Sequence, residues 1–163
     1  MPTSANTCVR KIPALAKKVE EFFGWTAGSK NLDIGAGKYQ DFSDYLHKKR
    51  VKNLPYDPYN RPAKENDESL AACPADTVTI SDVLNVVQKE EDRIAILKLA
   101  KSHARKAGRV YISVYEGDKS GEGKESKKDC WQEHRKLTSY FPEVEKVFNC
   151  AIIIGRFIVC FNA

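Results

Sequence analysis

An acidic residue leading into a glycine-broken turn, Asp33-Ile34-Gly35-Ala36-Gly37, is where residue types and spacing in this sequence can build a ligand site. Gly35 and Gly37 can take positive φ and let a ligand lie against bare backbone. Asp33 stands just before the turn, where a carboxylate can reach a bound cation or polar head group. The apolar run before the turn reads as a strand, and Phe42, Tyr45 and Leu46 after it have helical spacing. Such a strand–turn–helix unit places unpaired amide donors at the carboxyl end of a parallel sheet. Asp57 ends the next apolar run, 51–56. That is about twenty residues beyond the turn, where this architecture puts the acid that grips ribose hydroxyls.

A glycine turn can also be a tight connection with no ligand, and Asp57 is what favours a site. Gln40 occupies the third glycine position of the G-x-G-x-x-G pattern. A dinucleotide site uses that glycine for close helix–sheet packing, so a nicotinamide or flavin cofactor is disfavoured. Asp33-Ile34-Gly35-Ala36-Gly37 together with Asp57 resembles the class I S-adenosylmethionine-dependent methyltransferase family, over the chain from the first helix onward. The resemblance implies S-adenosylmethionine as cofactor and no metal. Asp33 would then meet its amino end, Gly35, Ala36 and Gly37 would pack against it, and Asp57 would hold the ribose. Pro58 and Tyr59 would belong to the cofactor site, with Tyr56 or Tyr59 stacking on the adenine; ordinary half-buried packing is the alternative for both tyrosines. Ser81 and Asp82 would complete the cofactor site, while Asp82, Asn85 and Glu116 would face the methyl acceptor.

The implied fold is α/β, a Rossmann-like methyltransferase three-layer sandwich: a mostly parallel sheet closed by an antiparallel C-terminal hairpin. Two departures stand out. Residues 61–76 are short and polar, so the family's third strand is expected to be missing or reduced, and with it the acid that often meets the adenine amine. The loop after 77–81 lacks the Pro-Pro-aromatic signature of amino-methylating DNA enzymes. Val83-Leu84-Asn85-Val86-Val87, followed by Glu91-Asp92-Arg93, is similar to a phrase of phage-borne and DNA-phosphorothioation-associated methyltransferases.

The elements that position these residues follow from periodicity. Apolar residues three and four apart predict a helix over 8–25, with Pro13 tolerated near its start. A helix is expected near 41–49, then a strand at 51–56 that Pro55 confines to an edge. One or two helical turns around 65–72 precede a buried strand at 77–81. A helix over 90–106, stopped at Gly108, leads to a strand at 109–115. Residues 116–129 carry three glycines and nine charges and read as a mobile loop. As a lid, it would bring Glu116 and Asp118 to the methyl group, with Trp131 and Gln132 closing the far side. A helix is predicted at 129–140. Two β runs, 144–155 and 156–162, meet at Gly155 and Arg156, a hairpin signal.

At 163 residues the chain is expected to be one domain. The start lacks the apolar core of a signal peptide, and no run approaches the ~20 apolar residues of a membrane span, so a cytoplasmic protein is expected. The five cysteines have no C-x-x-C spacing and read as incidental, Cys150 and Cys160 as small buried hydrophobes. Formal charge is +5, and residues 98–136, with eleven Lys/Arg against six Asp/Glu, carry a surplus of that size. It is either a solvated face or a footprint for nucleic acid, and the acceptor reading leans to the latter. The second functional reading is a protein of the same fold that binds the cofactor without transferring a methyl, as an interaction or inhibitory protein. A nicotinamide-dependent reductase is a third, disfavoured by Gln40 and the terminal hairpin.

Overall fold

The computed structural model describes residues 3–163. Its centre is a six-stranded sheet in the order β2-β1-β3-β4-β8-β7. Strands β1 (Lys30–Ile34), β2 (Lys52–Tyr56), β3 (Ala75–Ser81) and β4 (Ala104–Ser113) pair in parallel. Strands β7 (Ala151–Ile154) and β8 (Phe157–Phe161) form the antiparallel hairpin, β8 adding to β4. Gly155, at φ 54, supplies the left-handed residue of their two-residue link. Pro55 lies on the edge strand β2, as a residue without an N–H requires. No strand falls between Tyr56 and Ala75, so the third strand is missing and helix α3 (Ala63–Ala71) bridges the gap.

Strand alternation splits the apolar residues into three layers. Val110, Ile112, Ile158 and Cys160 point to one face, where α4 (Glu90–His103) and α5 (Phe141–Glu145) cover them with Leu97, Ala100 and Val144. Tyr111, Phe157 and Val159 point to the other, against Leu15 and Val19 of α1 (Ala14–Phe22). Helix α2 (Asp41–Lys48) closes that layer with Phe42 and Leu46 beside Ala16. Buried Arg93 of α4 fastens the α4–α5 layer. It donates to both carboxylate oxygens of Glu143 on α5, at 2.8 and 2.7 Å, and to the carbonyls of Val87 and Gln88. It thereby fixes the chain that runs from β3 into α4.

Four boundaries correct the sequence reading. Helix α1 starts at Ala14 rather than near residue 8, because a residue before proline is held out of the helical region and Pro13 itself caps the helix at ψ 138. Helix α4 ends at His103, since Ala104 turns extended and pairs with Ala75. Ala107 then adopts φ 62, and the backbone carbonyls of Asp76 and Arg105 press on Gly108. The segment 129–140 is not a helix. Asp129, at φ 58, turns the chain into β6 (Cys130–Gln132), which pairs with β5 (Lys124–Lys127), and only a 3₁₀ turn, Leu137–Tyr140, is helical. The loop 116–129 is therefore partly a two-stranded hairpin. Residues 144–150 are helix and turn, not strand, which leaves Cys150 exposed while Cys160 is buried.

Candidate functional site

The chain runs from β1 outward to β2, then crosses back to β3 on the other flank of β1. That reversal opens a crevice at the carboxyl ends of the strands, where open α/β sheets bind ligands. A cavity of about 530 Å³ lies there, lined by Asp33, Gly35, Ala36, Gly37, Asp57, Pro58, Tyr59, Ser81 and Asp82. These are the nine residues the family resemblance assigned to the cofactor. Tyr56 also lines it, and Tyr59 is exposed at the rim.

The glycine turn differs from the expected amide cradle. The N–H groups of Gly35 and Ala36 both donate to the Tyr56 carbonyl, at 2.8 and 3.2 Å. Gly37 N–H donates to Asp57 Oδ2 at 2.9 Å, and Lys38 N–H to Cys8 Sγ at 3.3 Å. Each turn amide is spent inside the protein, so the turn offers a bare surface and no phosphate nest. Its glycines are required by space as well as by φ of 77 and 66: a Cβ on Gly35 would strike the Val83 side chain, and one on Gly37 would strike Cys8 Sγ.

Asp57 is the pin of this arrangement. Its Oδ1 accepts from the Tyr59 and Asn60 N–H groups, and its Oδ2 accepts from Gly37 N–H and the Asn60 side-chain amide. The Asp57 backbone is itself held by buried Asn66, which accepts from its N–H and donates to its carbonyl.

Asp33 ends a buried polar ladder that the sequence reading missed. Asn31 donates to Asn53 and Thr79, Thr77 donates to Asn31, and Thr79 donates to Asp33 Oδ1 at 2.8 Å. The readable signal was a polar residue at every second position, Asn31 and Asp33 in β1 and Thr77 and Thr79 in β3. Burial pushes the Asp33 carboxyl up to about 7; the Thr79 hydrogen bond and the Arg61 charge pull against this, and the Asp57 charge adds to it.

Of the residues assigned to the acceptor side, only Asp82 lines the cavity, in a left-handed conformation at φ 54. Asn85 is buried outside it. Its Oδ1 accepts from Tyr115 N–H, its Nδ2 donates to Gln132, and its carbonyl accepts from Glu133 N–H. Glu116 is also elsewhere, accepting from Leu137 N–H at 2.8 Å. Both hold backbone that has no other partner, and the segment carrying Glu116 and Asp118 does not line the cavity. Trp131 and Gln132 do not line it either.

The cover comes instead from the N-terminal segment, whose Ser4, Thr7, Cys8, Val9 and Lys11 line the cavity. Buried Ser4 anchors it: its hydroxyl donates to the Val86 carbonyl at 2.9 Å and accepts from Trp131 N–H at 3.1 Å, while its N–H donates to the Asp129 carbonyl. Trp131 therefore contributes by fastening the strap. Ser4→Ala strips Trp131 N–H of its acceptor, and a loss of ~1–2 kcal/mol in urea unfolding is expected; a change under ~0.5 kcal/mol would show that the strap is loose in solution.

The charge of the cavity is one-sided. Among the described residues Asp33, Asp41, Asp57, Asp82 and Asp92 line it, against a single cationic side chain, Lys11. The basic surplus does not converge on it. Lys98, Lys101, Arg105 and Lys106 lie on the last turns of α4 and the start of β4, towards the amino end of the sheet, and the lysines of the 116–129 segment are interleaved with acids. Among the described residues no cluster of potential metal ligands occurs, and no helix is long and apolar enough to cross a membrane.

No protein-family model matches the sequence, and neither does any curated protein. Solved structures do match. A Burkholderia thailandensis 1,6-didemethyltoxoflavin-N1-methyltransferase, with bound 1,6-didemethyltoxoflavin and S-adenosylhomocysteine, superposes with a TM-score of 0.68 at 14% identity, over 90% of this chain and 75% of that one. A TehB-like SAM-dependent methyltransferase from Corynebacterium glutamicum gives 0.54 at 18% identity, over 93% and 88%. A T. thermophilus 16S rRNA methyltransferase in complex with AdoMet and guanosine gives 0.56 at 14%, over 94% of this chain but 43% of the enzyme. The chain has the Rossmann-like methyltransferase fold. At such identities the likeness extends to the fold alone.

Proposed function

We propose that this protein is an S-adenosylmethionine-dependent methyltransferase. The observation that carries the reading is the acid-lined cavity over a glycine turn whose amides are already engaged. S-adenosylmethionine is cationic at its sulfonium and its amino group; four aspartates besides Asp33, facing one lysine, favour such a ligand, which would also draw out the proton that burial keeps on Asp33 up to about pH 7. The same walls repel a pyrophosphate, which argues against a nicotinamide dinucleotide along with Gln40. Neighbours of this fold bind S-adenosylhomocysteine or AdoMet, in keeping with the assignment.

The residues fit the cofactor without rearrangement of the sheet. Asp33 would receive the amino end, and the backbone of Gly35, Ala36 and Gly37 would pack against the ligand. Asp57 would hold the ribose by exchanging one donor: three of its four partners are backbone N–H groups, and the Asn60 amide is the side chain able to swing away. Bound S-adenosylmethionine supplies a methyl already made electrophilic by its sulfonium. The protein's task is to bring an acceptor lone pair into line, which is catalysis by proximity. Asp82, at the cavity wall and bonded through its N–H to the Ser113 carbonyl, is the group placed to orient an acceptor or take its proton.

The basic surplus of 98–136 does not converge on the cavity, which supports a small acceptor over a nucleic-acid strand. A nucleic-acid acceptor would give retention that falls steeply with salt, through counterion release; salt-independent turnover is expected. The test of the whole reading is calorimetry with S-adenosylmethionine, S-adenosylhomocysteine and NADH. The two adenosyl compounds should bind and NADH should not; the reverse preference would overturn it. The engagement of Asn85 and Glu116 in backbone support favours, as second reading, a binding protein without transfer activity. Release of a labelled methyl to an acceptor separates the two.

A further inference from the structure

A second cavity, of about 170 Å³, lies at the amino end of the sheet and shares no lining residue with the first. The loop after α1 lines it with Trp25 and Thr26, and the starts of β3 and β4 line it with Asp76, Arg105 and Arg109. Two guanidinium groups therefore share a small space with one carboxylate. Asp76 is already matched: Arg105 Nε donates to its Oδ1 and Lys30 N–H to its Oδ2, both at 2.8 Å. Half-buried Arg109 is not. Among the described residues it makes one polar side-chain contact, a long 3.5 Å from Nη1 to the Tyr111 hydroxyl, and its guanidinium is held 4.7 Å over the Phe23 ring. Its Nε and Nη2 have no acceptor, and neither is sealed from water. Arg105 keeps its own Nη2 free, on a side chain that is 49% exposed.

A guanidinium drawn out of water with unspent donors is stabilised by an anion. The cavity is well below the ~300 Å³ of sites that bury a drug-sized ligand, so a small head group is what it admits. A planar carboxylate is satisfied by one guanidinium fork, whereas a tetrahedral oxyanion offers oxygens to two. The surroundings add to the positive field. Exposed Lys106 stands between the two arginines in sequence, and the backbone of exposed Arg50 and Lys52 is bonded to Gly28 and Ser29 of the facing loop. We propose that this pocket binds a phosphate group, free or at the end of a small phosphate ester, between Arg105 and Arg109. The site lies outside the adenosyl cavity and does not rest on the cofactor assignment.

Calorimetry on the full chain at constant ionic strength, with inorganic phosphate, glycerol 3-phosphate and acetate, tests this on wild type, Arg109→Met and Arg105→Gln. Phosphate should bind wild type at a single site, and acetate at least about tenfold more weakly. Arg109→Met keeps an unbranched stem against Phe23 and should lower phosphate affinity by at least about tenfold. Arg105→Gln should lower it at least about threefold and unfold near the wild-type temperature, since its ion pair is at the surface. Tighter binding of glycerol 3-phosphate than of phosphate identifies an ester as the ligand, and equal or weaker binding identifies the free ion. No phosphate binding to wild type, acetate binding as well as phosphate, or unchanged phosphate affinity in either variant overturns the proposal. A single-stranded oligonucleotide that displaces phosphate at equal concentration of phosphate groups also overturns it, because the arginines would then read a polymer.

Discussion

Asp57→Asn is expected to damage this protein almost as much as Asp57→Ala. An ionised carboxylate is acceptor-only, and all four hydrogen bonds at Asp57 arrive from donors: Gly37 N–H, Tyr59 N–H, Asn60 N–H and the Asn60 amide. An asparagine has the same shape but turns two N–H donors toward one pair of these, leaving them facing donors in a site that is 6% exposed. Each buried donor left without an acceptor costs ~1–3 kcal/mol, so a loss of ~3 kcal/mol on unfolding is expected for either variant. The damage is not confined to stability. Gly37 is held at φ 66 by the bond from its N–H to Asp57, and the floor of the cavity moves if that residue relaxes. Adenosyl binding should therefore weaken by at least about 100-fold, ~2.7 kcal/mol. Urea unfolding and calorimetry with S-adenosylhomocysteine read the two effects separately. An Asp57→Asn variant within ~0.5 kcal/mol of wild type and binding normally would mean that the carboxylate neither pins the turn nor meets the sugar.

That site was legible because its chemistry is local. Glycines at positions demanding positive φ, an acid at a strand end and a proline on an edge strand announce themselves from one or two neighbours each. The hairpin at Gly155 and Arg156 did so as well, and the polar stretch 61–76 correctly signalled a missing strand. What escaped depends on contacts far apart in sequence. Asn85 and Glu116 read as chemistry because polar residues after a strand commonly are, yet their partners, Tyr115, Gln132 and Leu137, lie 21 to 47 residues away. Ser4 fastens the strap through Trp131, 127 positions on, which nothing in the first few residues discloses. Ile96 and Leu99 of α4 pack against the core and line the cavity as well, which helical periodicity alone does not disclose. The segment 129–140 has Leu137 and Tyr140 at helical spacing, but the left-handed Asp129 and the β5–β6 pairing prevail over the pattern.

Asp33 should make both stability and cofactor binding depend on pH, in opposite directions. Its carboxyl is pushed from 3.8 up to about 7, burial being the largest cause. Between those two values the folded protein holds a proton that the unfolded chain has released, so stability falls as pH rises across that window and is level above it. A displacement of that size corresponds to ~4 kcal/mol between the protonation states, as an upper figure for this one group. Asp33→Asn keeps an oxygen to accept from Thr79 and cannot ionise. Its stability advantage over wild type should therefore be near zero at pH 4, grow toward pH 7 and then hold. Binding runs the other way, because a ligand ammonium beside Asp33 favours the ionised carboxylate and opposes the effect of burial. From pH 5.5 to 7 the affinity of wild type for S-adenosylhomocysteine should rise by about tenfold, and binding below pH 7 should release close to one proton. Calorimetry in two buffers of different ionisation heat measures that proton directly. Asp33→Asn should bind more weakly at pH 7, with no proton released and no rise in affinity across the range. Wild-type binding that is flat with pH and releases no proton would put the amino end of the ligand away from Asp33, and with it the orientation of the adenosyl group along the cavity.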